Sequence, residues 1–154
     1  DLTPELVATL AAEFPNFAGI KDTVDCQSHT RSMIQTTRAV REDFAVLSGY
    51  DEYYIPNLLA GGAGIISGLN NVMPELFVSA REAFKQGDLA ALRDIQDQIG
   101  TYMSIYAIGE DFVTTIKTVV SRKFGYCSGV SRNAGGELNE SECRTIDEVF
   151  VVKG

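Results

Sequence analysis

Gly19-Ile20-Lys21-Asp22-Thr23 puts a lysine where a short apolar run opens into a polar loop. An ammonium held in a partly desolvated site is pushed toward its neutral form, because burial disfavours the charge. The neutral amine can then attack a carbonyl and form a Schiff base, whose iminium draws electrons from a neighbouring C–C bond. The same residues also suit a plainer role, a lysine snorkelling from a strand end to solvent. A second stretch, Leu47-Ser48-Gly49-Tyr50-Asp51-Glu52, closes another apolar run. Gly49 permits close backbone approach, and Asp51 and Glu52 can accept hydrogen bonds from the hydroxyls of a sugar-like substrate. An Asp N-cap followed by an acid in the first helical turn accounts for the same pair as helix chemistry. The third stretch runs from Gly61 to Asn71 and is rich in glycine. It lacks the GxxxxGK[ST] and GxGxxG patterns, and its early glycines precede an apolar run instead of following one, so no nucleotide site is expected. Ser67 is expected to stand at a strand exit.

Elsewhere the sequence mainly excludes. It has 154 residues, 45% hydrophobic and 22% charged, with a formal net charge of −8; this is a globular composition and not a disordered one. So acidic a chain, with no basic stripe carrying interleaved aromatics, is not expected to bind nucleic acid. No uncharged apolar run approaches the ~20 residues of a membrane span, and the polar start Asp1-Leu2-Thr3-Pro4-Glu5 does not read as a signal peptide, so a cytoplasmic protein is expected. Cys26, Cys127 and Cys143 are odd in number and widely spaced, and His29 is the only histidine. A disulfide framework, a zinc site and a histidine-based triad are therefore not expected. Cys26 stands close to Lys21 and Asp22 and reads as a small buried or half-buried residue, a reactive thiol being the alternative.

The elements that must position these residues follow from breakers and periodicity. Thr3-Pro4-Glu5 opens a helix, with a hydroxyl cap and proline at its start, and Leu6, Leu10 and Phe14 recur along one face. Pro15-Asn16 breaks it. Phe17 to Ile20 reads as a buried strand ending at Lys21, and Arg31 to Val40 carries a helix. Phe44 to Leu47 reads as a second strand. A helix from about Asp51 turns Tyr54, Leu58 and Leu59 inward before Gly61-Gly62. Ala63 to Ile66 is a third strand, ending at Ser67-Gly68. Apolar strands alternating with amphipathic helices predict a parallel sheet covered by helices. The remainder reads as helical. A helix from Pro74 buries Leu76, Ala80 and Phe84, a second extends past Gly87-Asp88 to about Ala107, and a third spans about Glu110 to Phe124. Gly125 to Gly136 reads as loop, and a last helix starts at Asn139-Glu140-Ser141-Glu142 and contains Ile146, Val149 and Phe150.

Three parallel strands leave two unpaired sheet edges, which proteins normally avoid. Each strand–helix unit here takes about 20 to 30 residues, and eight would need roughly 250. The chain is therefore expected to be the second half of a barrel, its first half absent or in another chain. Polar residues at the carboxyl ends of three successive strands, one of them lysine, match the place where parallel α/β folds hold active sites.

The combination resembles the dihydrodipicolinate synthase/N-acetylneuraminate lyase family of class I Schiff-base aldolases, which are (β/α)8 barrels. The resemblance is carried by GIKDT at 19–23, LSGYDE at 47–52, GGAGIIS with Asn71 and Pro74 at 61–74, and the tail around Ile116-Lys117 and Phe124-Gly125. It implies that residues 1–73 are C-terminal half-barrel units, and that 74–154 hold the last barrel helix and a C-terminal helical region. Lys21 would form the Schiff base with pyruvate or another 2-keto acid. The backbones of Gly49 and Ile66 would line its pocket, and Thr23, Asp51, Glu52 and Ser67 would contact substrate hydroxyls. KDT and the acidic pair after Gly49 look most like the 2-keto-3-deoxygluconate aldolase branch. The implied activity is reversible cleavage of a 2-keto-3-deoxy sugar acid to pyruvate and an aldehyde, by a homo-oligomer needing no metal or organic cofactor. The alternatives are a synthase or dehydratase of the dihydrodipicolinate type, an N-acetylneuraminate lyase, or a non-catalytic half-barrel that binds a partner or a sugar acid. The family's tyrosine proton shuttle, carboxylate-binding loop and acceptor-binding arginine belong to the other half of the barrel. Two departures stand out: Gly68-Leu69-Asn70 after Ser67, and a tail at Arg132 to Gly136 without the family's prolines.

Overall fold

A computed structural model describes residues 1–132 and 136–151 of the chain. The chain divides into two compact units, Asp1–Ser67 and Gly68–Gly154.

In the first unit, α1 (Pro4–Glu13) is capped by Thr3, whose hydroxyl accepts the amide of Leu6 at 3.3 Å. Its buried residues are Val7, Ala8 and Ala11. The expected Leu6/Phe14 face is not the packed one, since both side chains are about half exposed. The smaller residues form the contact instead: Val7 and Ala11 join Met33, Ile34, Phe44 and Val46 in the core, and Phe17, Ile20 and Ala60 pack against it.

The expected parallel sheet is present. β1 (Gly19–Asp22), β2 (Ala45–Ser48) and β3 (Gly64–Ile65) lie in that order, all parallel. α2 (Gln27–Val40) and α3 (Tyr54–Ala60) alternate with them. The strands start one or two residues later than the apolar runs suggest. Lys21 therefore sits within β1, paired in register with Leu47, and Asp22 with Ser48. The ladder continues through Gly49 N–H to the Asp22 carbonyl (2.7 Å) and Ile66 N–H to the Ser48 carbonyl (2.9 Å). Side chains alternate across a strand. Ile20 and Val46 face the helix-side core, and on that face Asp22 and Ser48 are also buried. Lys21 and Leu47 occupy the opposite face, exposed and half-buried respectively.

Further expectations in this unit are corrected. α2 begins four residues earlier than the apolar pattern suggests, so Cys26 is its N-cap residue and is exposed, not buried. Leu59, expected inward, is 63% exposed. The other two residues expected inward, Tyr54 and Leu58, are buried together with Ile55, after a 3₁₀ turn at Asp51–Tyr53; Leu59 lies in the last turn of α3. α3 ends on Gly61, whose φ of 88° is left-handed backbone that glycine adopts without steric cost.

The second unit is helical, and its boundaries follow local capping. α4 (Pro74–Gln86) buries Leu76, Phe77, Ala80 and Ala83, with Phe84 half-buried, not buried as expected. α5 (Leu89–Tyr102) starts from Asp88, which accepts the Ala91 amide at 2.9 Å, and runs into a 3₁₀ segment, Met103–Ala107. α6 (Phe112–Phe124) is capped by Asp111, which accepts the amides of Val113 and Thr114 and the Thr114 hydroxyl. Those bonds, that from the Thr114 hydroxyl first, hold the Asp111 carboxyl below its usual pKa. α7 (Glu140–Ile146) has a capping box between Asn139 and Glu142 and passes into a π turn, Asp147–Val151, that buries Phe150. Val149 is half-buried. Of the expected Arg132–Gly136 tail, residues 133–135 lie outside the described residues. No described helix is long and apolar enough to cross a membrane.

Candidate functional site

The residues singled out for chemistry gather at the carboxyl ends of the three strands, within the first unit. Gly49 is the hinge of the arrangement. A methyl group placed on it would lie 2.9 Å from Lys21 Cε and 2.9 Å from Thr23 Cβ, and would collide with Thr23 Oγ1. The absence of a side chain there is what lets the lysine stem and Thr23 lie against the backbone of the β2 exit. Lys21, Thr23 and Gly49 thus form one contact group across two neighbouring strands.

The sequence leads one to expect a partly desolvated ammonium at Lys21; in this chain the residue that carries it is exposed. The adjoining Asp22 is buried at 5% exposure and tightly held. Its Oδ2 accepts from the Thr30 hydroxyl at 2.6 Å and lies 3.1 Å from His29 Nδ1, and its Oδ1 accepts the Val24 amide at 3.3 Å. The other imidazole nitrogen of His29 is 3.2 Å from the Leu2 carbonyl. A buried carboxylate is tolerated only when its lone pairs are satisfied, and here they fix the residue that follows Lys21.

Asp51 and Ser67 form a second group. Asp51 is 2% exposed, and the Ser67 hydroxyl donates to its Oδ1, joining the β2 exit to the β3 exit. Glu52 is half-buried in the same 3₁₀ turn, and Ile66 is exposed at the end of the β3 ladder. Ser48 Oγ donates to the Tyr50 carbonyl at 2.9 Å, which shapes the turn that presents Asp51.

Two features were not visible in the sequence. His29, noted only as the sole histidine, belongs to the Asp22 network. Tyr53 donates to Asp25 Oδ1 at 2.6 Å and its ring lies 5.5 Å from that of Tyr50. The hydrogen bond to Asp25, with some desolvation, pushes the Tyr53 phenol up to about 12. Residues 25 and 53 are far apart in the chain, and no short-range pattern links them. The Cys26 sulfur lies 3.0 Å from Ser28 Oγ, an interaction that holds the thiol below its usual pKa. Among the described residues, no cluster of three or more His, Cys, Asp or Glu side chains could hold a metal ion.

Residues 1–149 match the dihydrodipicolinate synthetase family. A probable 2-dehydro-3-deoxy-D-pentonate aldolase, YjhH of Escherichia coli, is 42% identical over 117 residues, covering 76% of this chain and 39% of its own. A 4-hydroxy-tetrahydrodipicolinate synthase of Methanoculleus marisnigri is 34% identical over 154 residues, covering 100% of this chain and 51% of its own. Among solved structures, YagE, a prophage protein of the dihydrodipicolinic acid synthase family from E. coli K12, in complex with pyruvate, shares 34% identity with a TM-score of 0.91. That likeness covers 97% of this chain and 50% of that one. The chain thus spans about two-fifths to half the length of the relatives it matches. Its fold is the expected one, the C-terminal part of a (β/α)8 barrel followed by a helical extension.

Proposed function

The chain belongs to the dihydrodipicolinate synthetase family, and from that premise we propose that it carries the Schiff-base lysine of a class I aldolase acting on 2-keto-3-deoxy sugar acids. The observation that carries the reading is the contact group at the β1 and β2 exits. Lys21 reaches over Gly49 beside Thr23, with the Asp51–Ser67 pair on the adjoining exits. In this reading residues 1–73 are the half-barrel units and 74–154 the last barrel helix and its extension, and the remaining strands of the barrel close over the open sheet face. That closure desolvates the Lys21 ammonium and favours its neutral form.

The amine adds to the C2 carbonyl of the keto acid, and loss of water leaves an iminium. Deprotonation of the C4 hydroxyl breaks the C3–C4 bond: the aldehyde departs, and the electron pair passes through C3 into the iminium to give an enamine. Protonation at C3 and hydrolysis then release pyruvate and regenerate Lys21. The iminium is the electron sink, so the steps need no metal or organic cofactor. The backbones of Gly49 and Ile66 line the pocket around the imine, and Thr23, Asp51, Glu52 and Ser67 receive the hydroxyls of the substrate chain. The residues that move the proton and hold the keto acid carboxylate come from the rest of the barrel.

The test is reductive trapping. Full-length protein incubated with pyruvate and borohydride gains one stable adduct, located at Lys21 by peptide mass, and Lys21→Arg gains none. An adduct on Lys117, or no adduct, overturns the reading. The synthase relative motivates a second reading, a synthase of the dihydrodipicolinate type. Turnover of a hydroxylated aldehyde in preference to aspartate semialdehyde supports the aldolase, and the reverse preference supports the synthase. A sugar acid that binds without turnover indicates a non-catalytic module.

A further inference from the structure

We infer that the Tyr53–Asp25 hydrogen bond is a positioning latch that fixes the spacing between Thr23 and the Asp51/Glu52 turn, and so sets the fit for the hydroxylated end of the substrate. The inference rests on the proposed function for its substrate class.

The latch joins two short, stiff segments. On one side, the loop after β1 is tied at its base, since Asp22 accepts the Val24 amide and the Asp22 carbonyl accepts the Gly49 amide. Asp25 follows Thr23 by two residues. On the other side, Tyr53 ends the 3₁₀ turn that begins with Asp51 and Glu52, and its amide donates to the Tyr50 carbonyl at 3.2 Å. Its ring is braced by Tyr50. The strand ladder joins the two segments at their base, and the 2.6 Å bond adds a second tie beyond it, which fixes how far apart their outer ends stand.

Its energetics point to geometry and not to stability. Asp25 is exposed, and polar pairs at the surface contribute little to folding. A short phenol–carboxylate bond is nonetheless strong and directional, and its phenol stays protonated to about 12, so the bond is in place throughout the neutral range. Tyr53 and Asp25 are positioning residues, acting through Thr23, Asp51 and Glu52. A displacement of about 1 Å among substrate-binding groups is enough to cost a large factor in rate or binding.

The test uses full-length protein and compares Tyr53→Phe, Asp25→Ala, Asp25→Asn and the Tyr53→Phe/Asp25→Ala double variant. Each is assayed by borohydride trapping with pyruvate alone and by steady-state cleavage of a 2-keto-3-deoxy sugar acid. Tyr53→Phe and Asp25→Ala are each expected to raise KM for the sugar acid by roughly tenfold, with kcat within about twofold and pyruvate trapping unchanged. Asp25→Asn keeps an oxygen that accepts the phenol hydrogen and is expected to stay within about twofold of wild type. The double variant is expected to be no worse than either single one, because both remove the same bond. A KM unmoved in Tyr53→Phe, or equal losses in pyruvate trapping and sugar-acid cleavage, overturns the latch while the aldolase reading stands. Wild-type protein that never traps pyruvate overturns the aldolase reading, and the latch with it.

Discussion

The two faces of the three-stranded sheet are built for different ends. On the helix side, Ile20 and Val46 enter the core with Val7, Ala11, Met33 and Ile34, and Asp22 is buried among its hydrogen-bond partners. On the other side stand Lys21, half-buried Leu47 and the bare backbone of Gly49. Adjacent residues of β1 thus divide the labour. Asp22 is held by buried hydrogen bonds, and Lys21 is exposed. That separation can be tested residue by residue.

The largest expected effect is at Lys21. Lys21→Arg keeps the positive charge and removes the nucleophile, because a guanidinium does not deprotonate. In full-length protein we expect aldol cleavage to fall by roughly four orders of magnitude and the pyruvate adduct to vanish. In this 154-residue chain, where Lys21 is exposed, the substitution should change the urea unfolding free energy by less than about 0.5 kcal/mol. Asp22→Ala should show the opposite profile. It strands the buried Thr30 hydroxyl and removes a partner from the half-buried Val24 amide and His29 ring, which costs about 2 kcal/mol of stability. If Asp22→Ala left the urea curve unmoved, or Lys21→Arg shifted it strongly, the division between the two faces would fail.

Gly49→Ala probes the place where chemistry and backbone meet. The added methyl group meets Lys21 Cε, which can swing away, and Thr23 Cβ at 2.9 Å, which is fixed to the backbone of a β-branched residue. Folding should therefore lose about 1–3 kcal/mol, while displacement of the lysine lowers the rate by roughly a hundredfold. Thermal melts and single-turnover imine formation separate the two quantities. A large loss of stability with normal imine formation would show that Gly49 serves the strand ladder and not the lysine.

These contrasts also explain what the sequence could disclose. The β1–α2–β2–α3–β3 order was legible because apolar runs, breakers and caps are local signals, and the strand exits with their polar residues came with it. The packed face of α1 was not legible. Leu6 and Phe14 are the more hydrophobic residues, but close approach of α1 to the core favours Val7 and Ala11. Leu59 misled for a different reason: Tyr54 and Leu58 are buried as expected, but Leu59 stands in the last turn before the Gly61 cap and is exposed, although Ile55 one turn earlier is buried. Within the site, Lys21, Gly49 and Asp51 were marked by residue type and place. The roles of His29, Thr30 and Tyr53 depend on partners brought near by the fold, and spacing along the chain does not reveal them.

Tyr53, in the turn that follows β2, has the smallest expected effect. Its phenol is pushed up to about 12, first by the bond it donates to Asp25 and then by partial desolvation. An unfolded tyrosine ionises near 10. Because the folded value is the higher one, the bond's contribution is fully present below about pH 10 and is lost as the pH rises toward 12. The chain has six tyrosines, so the phenolate absorbance of wild type minus that of Tyr53→Phe isolates this one. The difference should stay flat through pH 10 and rise only toward 12, and Asp25→Ala should bring the rise down toward 10. A difference step already at pH 10 in the wild type would mean that the phenol and the carboxylate are not joined in solution. The loop after β1 and the turn after β2 would then be joined only by the strand ladder and the packing of Thr23 on Gly49.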